Sequence, residues 1–481
     1  MLVAFAAGVV ATAFPTLGQG YAFIKIAETA PGGFASFSNV APSVNASGTV
    51  VFQSGFAGVA GIYTGAGGAT TTIADTNDPI FLSFGGGPVS INAAGTASFR
   101  ANRKAEAGGG SGIFTVSGGE ATNIALSGAS GGGVFTGFGS DTSINIAGTV
   151  AFYATRNADV GGGDGIYTGN GGPVAPVAQS TDPDITGFGG GFAPMINAAG
   201  TVVFTAGIEG TPGSNSAIFA RNGGSSTEIA RNSPGVLGTF SNFGVPSINF
   251  VGEVAFSAGL QDLNRGVYVG SGGGPTNIID SGNPGAPTTL IDTTGPFSNG
   301  ASFNPSINTA GTVVFAAALD AGGLGLFTGP DPVADKVIRT GDLLFGSTIN
   351  NLIFGNQGFN DAGQIAFLYF LDNGRSGIAL TAAGLPGDYN QNNIVDAADY
   401  TVWRDNLGSG TALPNDDTPG VDANDYTRWK THFGEVAGSG SGSGATGSAS
   451  AAVPEPAPLV LVALGGLLAT FVFVRHNQET T

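Results

Sequence analysis

Cysteine is absent from the sequence, and histidine nearly so. With no Cys among the 481 residues, disulfides, thiolate catalysis and cysteine-bound zinc are excluded. Both histidines, His432 and His476, lie outside residues 21–385, which argues against a histidine-activated nucleophile there. Basic residues are also few, since 15 Lys and Arg stand against 33 Asp and Glu. The net charge of −18 argues against nucleic acid and anionic lipid surfaces as partners, and it suits an exported protein that meets divalent cations.

Glycine and phenylalanine, by contrast, are abundant. The chain has 85 Gly and 25 Pro without a Gly-X-Y period, which excludes collagen. It also has 34 Phe and is 42% hydrophobic, which is not the composition of a disordered chain. Many short apolar runs separated by glycine-rich turns predict an all-β architecture.

A phrase of the form N-x-x-G-x-[VAI]-x-F occurs seven times, at intervals of 47, 53, 52, 52, 59 and 52 residues. Its first residues are Asn45, Asn92, Asn145, Asn197, Asn249, Asn308 and Asn360. Asn followed by Gly is typical of a tight turn, in which Asn caps the turn and Gly adopts positive φ. We therefore interpret the repeated Asn as structural rather than as a ring of ligands. The Phe that ends each phrase is predicted to lie in the core between neighbouring units.

Two further strand-like phrases follow each Asn at a constant mutual spacing. Ile62 in GIYTG (61–65) precedes Ile73 by 11 residues, and the same offset recurs in the next five units. A fixed offset between two short apolar strands is typical of a hairpin. With one more strand before each Asn, a unit has four strands in roughly 52 residues, which is the size of a propeller blade.

The two ends of the repeat region complement each other. The seventh unit lacks its last strand, because the expected position near Tyr389 falls in a different motif. The N-terminus has a spare strand at 22–28, and Ile26 precedes Asn45 by 19 residues, as Ile73 precedes Asn92. We therefore predict a seven-bladed β-propeller over residues 21–383 whose last blade is completed by the N-terminal strand. Closure removes free sheet edges, and an open β-solenoid is the alternative.

Residues 387–408 carry oxygen-bearing side chains at the spacing of a calcium loop. Positions 1, 3, 5, 7, 9 and 12 of this loop are Asp388, Asn390, Asn392, Ile394 (through its carbonyl), Asp396 and Asp399. Such a loop suits a hard cation such as Ca²⁺. A helix with Tyr400, Trp403 and Leu407 on one face should follow. A second, poorer copy lies 26 residues later and retains three acidic residues, Asp416, Asp422 and Asp425.

This duplicated loop and helix resembles a type I dockerin over residues 386–435. The resemblance implies two calcium-stabilised helices that dock onto a cohesin-like module. It places four residues near the recognition surface: Ala397, Ala398, Ala423 and Asn424. A purely structural calcium domain without a partner is the alternative. In either case we expect the segment to need the ion to fold, because its apolar content is small. A flexible Gly/Ser linker follows at 436–452.

An apolar run lies at each end of the chain. Residues 1–20 are typical of a secretory signal peptide, and a buried strand or helix is the alternative. Residues 457–474 are uncharged, long enough to span a bilayer as a transmembrane helix, and followed by Arg475.

The C-terminal order of features resembles the PEP-CTERM sorting signal over residues 453–476. Its motif consists of Pro454, Glu455 and Pro456, directly before the apolar stretch. The resemblance implies export, transient membrane anchoring and cleavage by an exosortase-type membrane protease. A permanent tail anchor is the alternative. Either case places the preceding residues outside the cytoplasm, in the cell envelope, at the cell surface or in the extracellular matrix.

From these features we predict a non-catalytic, exported propeller that binds carbohydrate or protein. The repeats themselves resemble the tandem-repeat propellers of PEP-CTERM proteins, which adds no chemistry. The first alternative is a polysaccharide-degrading glycoside hydrolase assembled through its dockerin-like segment, which requires a pair of carboxylates. Candidates follow the closing strands: Glu28, Asp75, Asp182 and Asp280. Because they recur at equivalent positions, they are more typical of loops than of an active site.

Two further readings of the repeat region stay open. The most distinctive break in the repeat is the basic loop 100–110, which we interpret as solvated. The second alternative function is a propeller that serves only as an inert spacer, with all activity in the dockerin-like segment.

Overall fold

A computed structural model defines the fold and describes most of the chain. The described residues are 21–31, 33–128, 132–188, 193–209, 215–232, 239–260, 265–280, 304–319, 323–331, 335–382, 386–390, 394–410, 413 and 420–435. The chain divides into two compact units, residues 1–383 and 384–481. Within the described ranges no helix is long and apolar enough to cross a membrane.

The first unit is built from short antiparallel strands arranged as blades. It starts with a strand that precedes blade 1 in the chain, β1 (Phe23–Glu28). Blade 1 contains β2 (Phe34–Phe37), β3 (Ser43–Val44), β4 (Val50–Phe56), β5 (Val59–Gly65) and β6 (Thr71–Asp75). Blade 2 contains β7 (Phe81–Phe84), β8 (Ser90–Ile91), β9 (Ala97–Arg103), β10 (Ser111–Ser117) and β11 (Glu120–Leu126). Blade 3 contains β12 (Phe135–Ile144), β13 (Val150–Arg156), β14 (Asp164–Gly169) and β15 (Ala175–Gln179).

Four more blades follow, and in blade 7 the order of neighbouring strands is β1-β32-β31-β30-β29. Blade 4 contains β16 (Met195–Ile196), β17 (Val202–Gly207), β18 (Ser216–Asn222) and β19 (Ser225–Arg231). Blade 5 contains β20 (Phe240–Phe243), β21 (Ser247–Ile248), β22 (Val254–Leu260), β23 (Arg265–Gly270) and β24 (Thr276–Asp280). Blade 6 contains β25 (Ser306–Ile307), β26 (Val313–Ala318), β27 (Leu324–Phe327) and β28 (Lys336–Arg339). Blade 7 contains β29 (Leu343–Leu344), β30 (Ser347–Ile353), β31 (Ala366–Leu371) and β32 (Ser376–Thr381).

The constant offset of 11 residues corresponds to one repeated hairpin with a β-bulge. In blade 1, Ile62 pairs with Ala74 and Tyr63 with Thr72, so Ile73 is the extra residue. The same register shift occurs between the last two strands of every blade. A bulge strengthens the local twist and re-aims a side chain. The repeated aliphatic residue therefore marks the bulge of the outermost strand.

Blade 7 is closed by the N-terminal strand, as the sequence predicts. β1 pairs antiparallel with β32, and the bulge residue of this pair is Ile26. Ile26 thus occupies the position that Ile73 holds in blade 1. Among the described residues, seven buried hydrophobic clusters each join two neighbouring blades. The cluster around Ile26 and Phe52 joins blade 7 to blade 1, so the seven blades form a closed ring.

The Phe that ends each repeated phrase lies in these clusters, which confirms the predicted core. The seven side chains are at most 2% exposed: Phe52, Phe99, Phe152, Phe204, Phe256, Phe315 and Phe367. Most of them pack against an aromatic residue on the next strand, as Phe52 does against Tyr63 with ring centroids 5.8 Å apart. Because no blade could bury such a face alone, the packing of adjacent blades stabilises each sheet.

The repeated Asn caps its turn and also links neighbouring blades. In all seven blades its Oδ1 accepts the backbone N–H of the residue four positions later. The Gly inside each turn has φ between +77° and +94°, which side chains rarely adopt. In six blades the Asn Nδ2 donates to the carbonyl of the Asn in the next blade, for example Asn92 to Asn145 at 3.1 Å. The Asn360 bond to Asn45, at 2.8 Å, spans the ring closure.

The second unit contains two short helices, α1 (Ala397–Asn406) and α2 (Ala423–His432). Each begins with a capping box, formed by Asp396 with Asp399 and by Asp422 with Asp425. Leu407 was predicted on the buried face of the first helix, but it follows the last helical residue and is 55% exposed. The core of the second unit forms without Leu407, from buried side chains that include Tyr389, Val395, Val421 and Trp429.

Candidate functional sites

One cavity of the propeller lies where the blades converge. Its volume is ≈ 530 Å³. Its walls come from blades 1, 2, 3, 5, 6 and 7, through residues 39–41, 86–88, Asp141, Val245, Asn304 and 351–356. Six blades can share one cavity only at the axis of the ring, so we name it the axial cavity.

The axial cavity opens where the innermost strand of a blade is interrupted. In blade 1 the break separates β2 from β3, and in blade 2 it separates β7 from β8. In blades 1, 2 and 5 the residue four positions before the repeated Asn lies at this break, and in blade 3 the equivalent residue, Asp141, lies inside the continuous strand β12 at its register shift between Phe138 and Thr142. The seven equivalents are Ala41, Pro88, Asp141, Ala193, Val245, Asn304 and Asn356, and all but Ala193 line the cavity. Asp141 is thus the one carboxylate among these positions, and it breaks the symmetry of the repeat.

Asp141 is half-buried in the wall of the axial cavity. Burial raises the pKa of Asp141, and a hydrogen bond from the Ser140 hydroxyl at 2.6 Å partly opposes that rise. Gly87 faces it closely, since a Cβ at Gly87 would collide with the Asp141 carboxylate and the Ser140 carbonyl. A polar ligand in the cavity would replace part of the lost solvation by hydrogen bonds to this group.

Two side chains of blade 7, Asn356 and Gln357, depart from the repeat because they bond to blades that are not its neighbours in the ring. Gln357 Nε2 donates to the Thr142 carbonyl of blade 3 at 3.1 Å, and Asn356 Nδ2 donates to the Pro246 carbonyl of blade 5 at 3.3 Å. The Gln357 carbonyl accepts from Val44 N of blade 1 at 3.0 Å. The Asn356 carbonyl also accepts from the Ser306 hydroxyl of blade 6 at 3.1 Å, so residues 356–357 connect five blades next to the axial cavity and fix the Asn356 side chain in its wall.

A second pocket lies on the outer part of the ring between blades 2 and 3. It measures ≈ 430 Å³ and is lined by residues 123–126 of blade 2 and by Val134, Phe135, Arg156, Tyr167, Val174, Pro176 and Gln179 of blade 3. We name it the interblade pocket. Gln179 Nε2 donates to the Tyr167 hydroxyl at 3.2 Å inside it.

The predicted carboxylate candidates Glu28, Asp75 and Asp182 make structural contacts within a blade or between blades. Glu28 binds Lys25 and Arg375, both at 2.8 Å, and accepts from the Tyr369 hydroxyl at 3.1 Å. Burial raises the pKa of Glu28, but bonds and charges from Lys25, Tyr369 and Arg375 outweigh it and lower the pKa overall. Asp75 accepts backbone N–H groups of the turn that follows it.

The equivalence predicted for these carboxylates fails for Asp182. The residue that matches Asp75 in blade 3 is Gln179, because Gln179 pairs with Gly165 as Asp75 pairs with Gly61. Asp182 lies three residues further and binds Arg221 at 2.6 Å. Asp280 ends β24 of blade 5 at the position equivalent to Asp75. None of these positions contributes to the lining described for the axial cavity.

The basic loop 100–110 uses its cations to hold its own fold. Arg103 is 7% exposed and donates through Nε and Nη2 to the Gly109 carbonyl, at 2.9 and 2.6 Å. Lys104 Nζ donates to the carbonyls of Thr76 and Asp78, at 2.9 and 2.8 Å. A short 3₁₀ helix, Ala105–Ala107, follows Lys104 directly and precedes Gly109 in this loop. The cations at the base of this loop are thus engaged by carbonyl groups, which is a structural role.

The loop–helix segment brings several predicted calcium ligands close together. Asp388 and Asp399 are at most 1% exposed. Asp399 Oδ1 accepts from Asn390 N and its Oδ2 from Asp396 N, both at 2.8 Å. Burial raises the pKa of Asp399, those two hydrogen bonds oppose the rise, and the charges of Asp388 and Asp396 add to it. A buried carboxylate such as Asp399, whose pKa is raised by burial and by neighbouring carboxylates, is a setting that a cation would stabilise.

Other predicted ligands are arranged less completely. Within the described part of the chain, no group of three or more Asp, Glu or His side chains converges on one metal position. The predicted set also uses the Asn390 amide and the Ile394 carbonyl, which are not carboxylates. Asn392 and Asp416 lie outside the described residues, as do the linker, the sorting motif at 454–456 and the apolar segment 457–474.

The two copies of the segment interlock through their tryptophans. Trp403 Nε1 donates to the Asp422 carbonyl and Trp429 Nε1 donates to the Asp396 carbonyl, both at 2.7 Å. Each helix is thereby tied to the N-cap of the other. The predicted partner-binding residues are exposed in the first turns of the two helices: Ala397, Ala398, Ala423 and Asn424.

Sequence analysis missed both propeller pockets. Aligning the seven units on their Asn residues would have exposed Asp141 as the odd member four positions before Asn145. The same alignment singles out Arg156, 11 positions after Asn145, where five other units have an apolar residue. The link from each Asn to the next blade had no such signal, because it joins residues about 50 positions apart.

The fold and its pockets define a seven-bladed β-propeller with an axial cavity. The signature of a family of unknown function, DUF7453, matches residues 65–378, and the chain belongs to this family. No curated protein matches the chain significantly.

Several solved propellers are similar at low identity. The β-propeller domain of the Trilobed protease from Pyrococcus furiosus is 9% identical with a TM-score of 0.44, over 72% of this chain and 95% of that one. Acylaminoacyl peptidase from Pyrococcus horikoshii is 10% identical with a TM-score of 0.40, over 69% of this chain and 50% of that one. The fucose-specific lectin from Aleuria aurantia is 14% identical with a TM-score of 0.32, over 62% of this chain and 93% of that one. At these scores the likenesses carry no argument about function.

Proposed function

We propose that this protein is an exported, non-catalytic propeller that binds carbohydrate in its axial cavity. The observation that carries the proposal is Asp141, the one carboxylate at seven equivalent positions, in a cavity of ≈ 530 Å³. Ligand pockets typically measure about 300–1,000 Å³ and present a few convergent polar groups. Among the described residues that line this cavity, four are Asn: Asn39, Asn304, Asn351 and Asn356.

The donor set of the cavity suits sugar hydroxyl groups. A side-chain amide offers donors and an acceptor, and a carboxylate accepts two or more hydrogen bonds. Sugar hydroxyls both donate and accept, so they match this mixture better than a purely apolar ligand would. A protein ligand would instead use the propeller faces, where it could contact loops of several blades.

A glycan array tests the proposal with a matched variant. Asp141→Asn introduces the residue that blades 6 and 7 carry at the same position, so the fold should tolerate it. We expect labelled full chain to bind a defined set of neutral glycans, and Asp141→Asn to lose at least about tenfold in affinity, because charge-assisted hydrogen bonds are lost. Equal binding by both proteins would contradict the proposal. Release of sugar by the wild type would support the glycoside hydrolase alternative.

For the second unit we propose a calcium-stabilised module that presents a protein-binding surface. In the first loop the ion would be held by Asp388, Asn390, Asn392, the Ile394 carbonyl, Asp396 and Asp399. In the second loop it would be held by Asp416, Asp422 and Asp425. The ion would neutralise carboxylates that are buried close together. The exposed residues Ala397, Ala398, Ala423 and Asn424 would face a cohesin-like partner.

For localisation we propose export to the cell envelope, cell surface or extracellular matrix. The support is the order of an N-terminal apolar run, the Gly/Ser linker, Pro454–Pro456 and the apolar segment 457–474. An exosortase-type protease would remove the transient anchor near the motif. Fractionation of cells, followed by mass spectrometry of the C-terminus, tests this: a secreted form that ends near residue 456 supports processing. A full-length protein in the membrane fraction would support the permanent tail anchor.

A further inference from the structure

The interblade pocket contains an arginine that departs from the repeat. Arg156 is the eleventh residue after Asn145, on the strand that lines the pocket. The equivalent residues of the other blades are Phe56, Arg103, Ile208, Leu260, Leu319 and Leu371. Five of the six are apolar, so packing of the blade does not require a cation here. A charged residue at an apolar position of the repeat calls for another explanation.

The two arginines at this position have different surroundings. Arg103 of blade 2 is buried and tied to the Gly109 carbonyl by two hydrogen bonds. Arg156 is half-buried, and its guanidinium makes no hydrogen bond or ion pair with any residue that the structure describes. In a chain with 33 acidic and 15 basic residues, a half-buried arginine that has no acidic partner among the described residues is notable. Its five N–H donors in a planar fork fit a carboxylate.

The remaining walls add side-chain amides and apolar groups. Gln179 donates to Tyr167, which leaves its Oε1 without a partner among the described residues, and Asn123 is exposed at the rim. Val134, Val174 and Pro176 supply apolar surface opposite these polar groups. Burial raises the pKa of Tyr167; the Gln179 hydrogen bond and the Arg156 charge oppose that rise, and the charges of Asp164 and Asp182 add to it. Neither Asp164 nor Asp182 lines it.

We propose that the interblade pocket binds a sugar residue bearing one carboxylate, of the uronic acid class, with Arg156 as the ligand of the carboxylate. The amides of Gln179 and Asn123 would bind ring hydroxyls, and the apolar wall would face the C–H groups of the ring. The volume of ≈ 430 Å³ exceeds what a simple carboxylate such as acetate needs. This site is separate from the axial cavity and does not depend on it.

The overall charge restricts the ligand further. At a net charge of −18 the protein repels polyanions at long range, so densely charged acidic polymers are disfavoured. A terminal or sparsely spaced uronate, bound at one local cation, avoids this penalty. We therefore expect binding to one acidic sugar residue at a time.

Saturation-transfer NMR titrations of the full chain, in a mild detergent, test the site with sodium glucuronate. Glucose and sodium acetate serve as comparison ligands. We expect glucuronate to bind at least about tenfold more tightly than either, because only glucuronate uses both the arginine and the amides. Acetate or glucose binding as tightly as glucuronate would overturn the proposal.

Variants locate the binding. Arg156→Leu introduces the residue of blades 5, 6 and 7, so its thermal unfolding should match the wild type, while its glucuronate affinity falls about tenfold or more. Arg156→Lys keeps the charge without the bidentate geometry and should give an intermediate affinity. Arg231→Leu removes the same charge from blade 4, where Arg231 pairs with Glu228 at 2.5 Å, and should leave the affinity unchanged. Glucuronate binding that survives Arg156→Leu lies elsewhere and would contradict the proposal.

Discussion

Closure of the ring by β1 can be tested by removing one buried side chain, Ile26. Ile26 is 3% exposed and belongs to the cluster that joins blade 7 to blade 1, together with Leu368 and Ile378. Ile26→Ala removes three carbon atoms from this cluster. Core substitutions of this type cost about 2–5 kcal/mol, depending on how far the cavity collapses. We therefore expect the free energy of unfolding to fall by about 2–4 kcal/mol.

The matched control is Ile229→Ala in blade 4. Ile229 is also 3% exposed and is the bulge residue of its outermost strand, but that strand pairs with β18 of the same blade, which is nearby in sequence. Urea unfolding followed by circular dichroism measures both variants. Tryptophan fluorescence reports separately on the second unit, which holds Trp403 and Trp429, the two Trp of the chain. In a closed ring both variants lose similar stability. A loss below about 0.5 kcal/mol for Ile26→Ala, beside a full loss for Ile229→Ala, would refute closure.

Three further predictions concern other parts of the account. Asn92→Asp keeps the oxygen that accepts from Thr96 but removes the donor to the next blade, and should cost about 2 kcal/mol in urea unfolding; a neutral effect would refute the inter-blade role. Because the pKa of Glu28 is lowered from 4.5 in the folded state, its stabilisation is present above that pH and lost as the pH falls. Glu28→Gln should therefore show a smaller loss of thermal stability than the wild type between pH 6 and pH 3, and identical pH profiles would contradict this. Calorimetry of the full chain should detect one or two calcium ions bound with a gain of helix, lost in Asp388→Ala/Asp399→Ala; no binding at millimolar calcium would refute the calcium module.

Sequence alone predicted the architecture because the repeat carries it. Seven turns with Asn and Gly, a constant hairpin offset and a spare first strand were sufficient for blade number and closure. The turn and hairpin signals lie within single repeat units, and the blade number follows from counting the units. The split of the innermost strand was not predicted, because β3 and β8 are only two residues long and have no periodicity of their own.

The candidate sites were harder to predict because they depend on side chains from different blades. Asp141, Asn304 and Asn356 meet only after the ring closes, and their sequence separations exceed 50 residues. The hydrogen bond from Gln357 to blade 3 joins residues 215 positions apart and has no local signature. By contrast, the first helix of the second unit was predicted from sequence because Tyr400 and Trp403 recur at helical spacing within one short segment.

The most direct test of the proposed function is a crystal structure of the full chain with the glycan that binds most tightly on the array. The account predicts density for a sugar in the axial cavity, with hydroxyl groups within hydrogen-bond distance of the Asp141 carboxylate and of the Asn304 or Asn356 amide. A sugar bound only on the outer surface of the propeller, with the axial cavity free of it, would contradict the account.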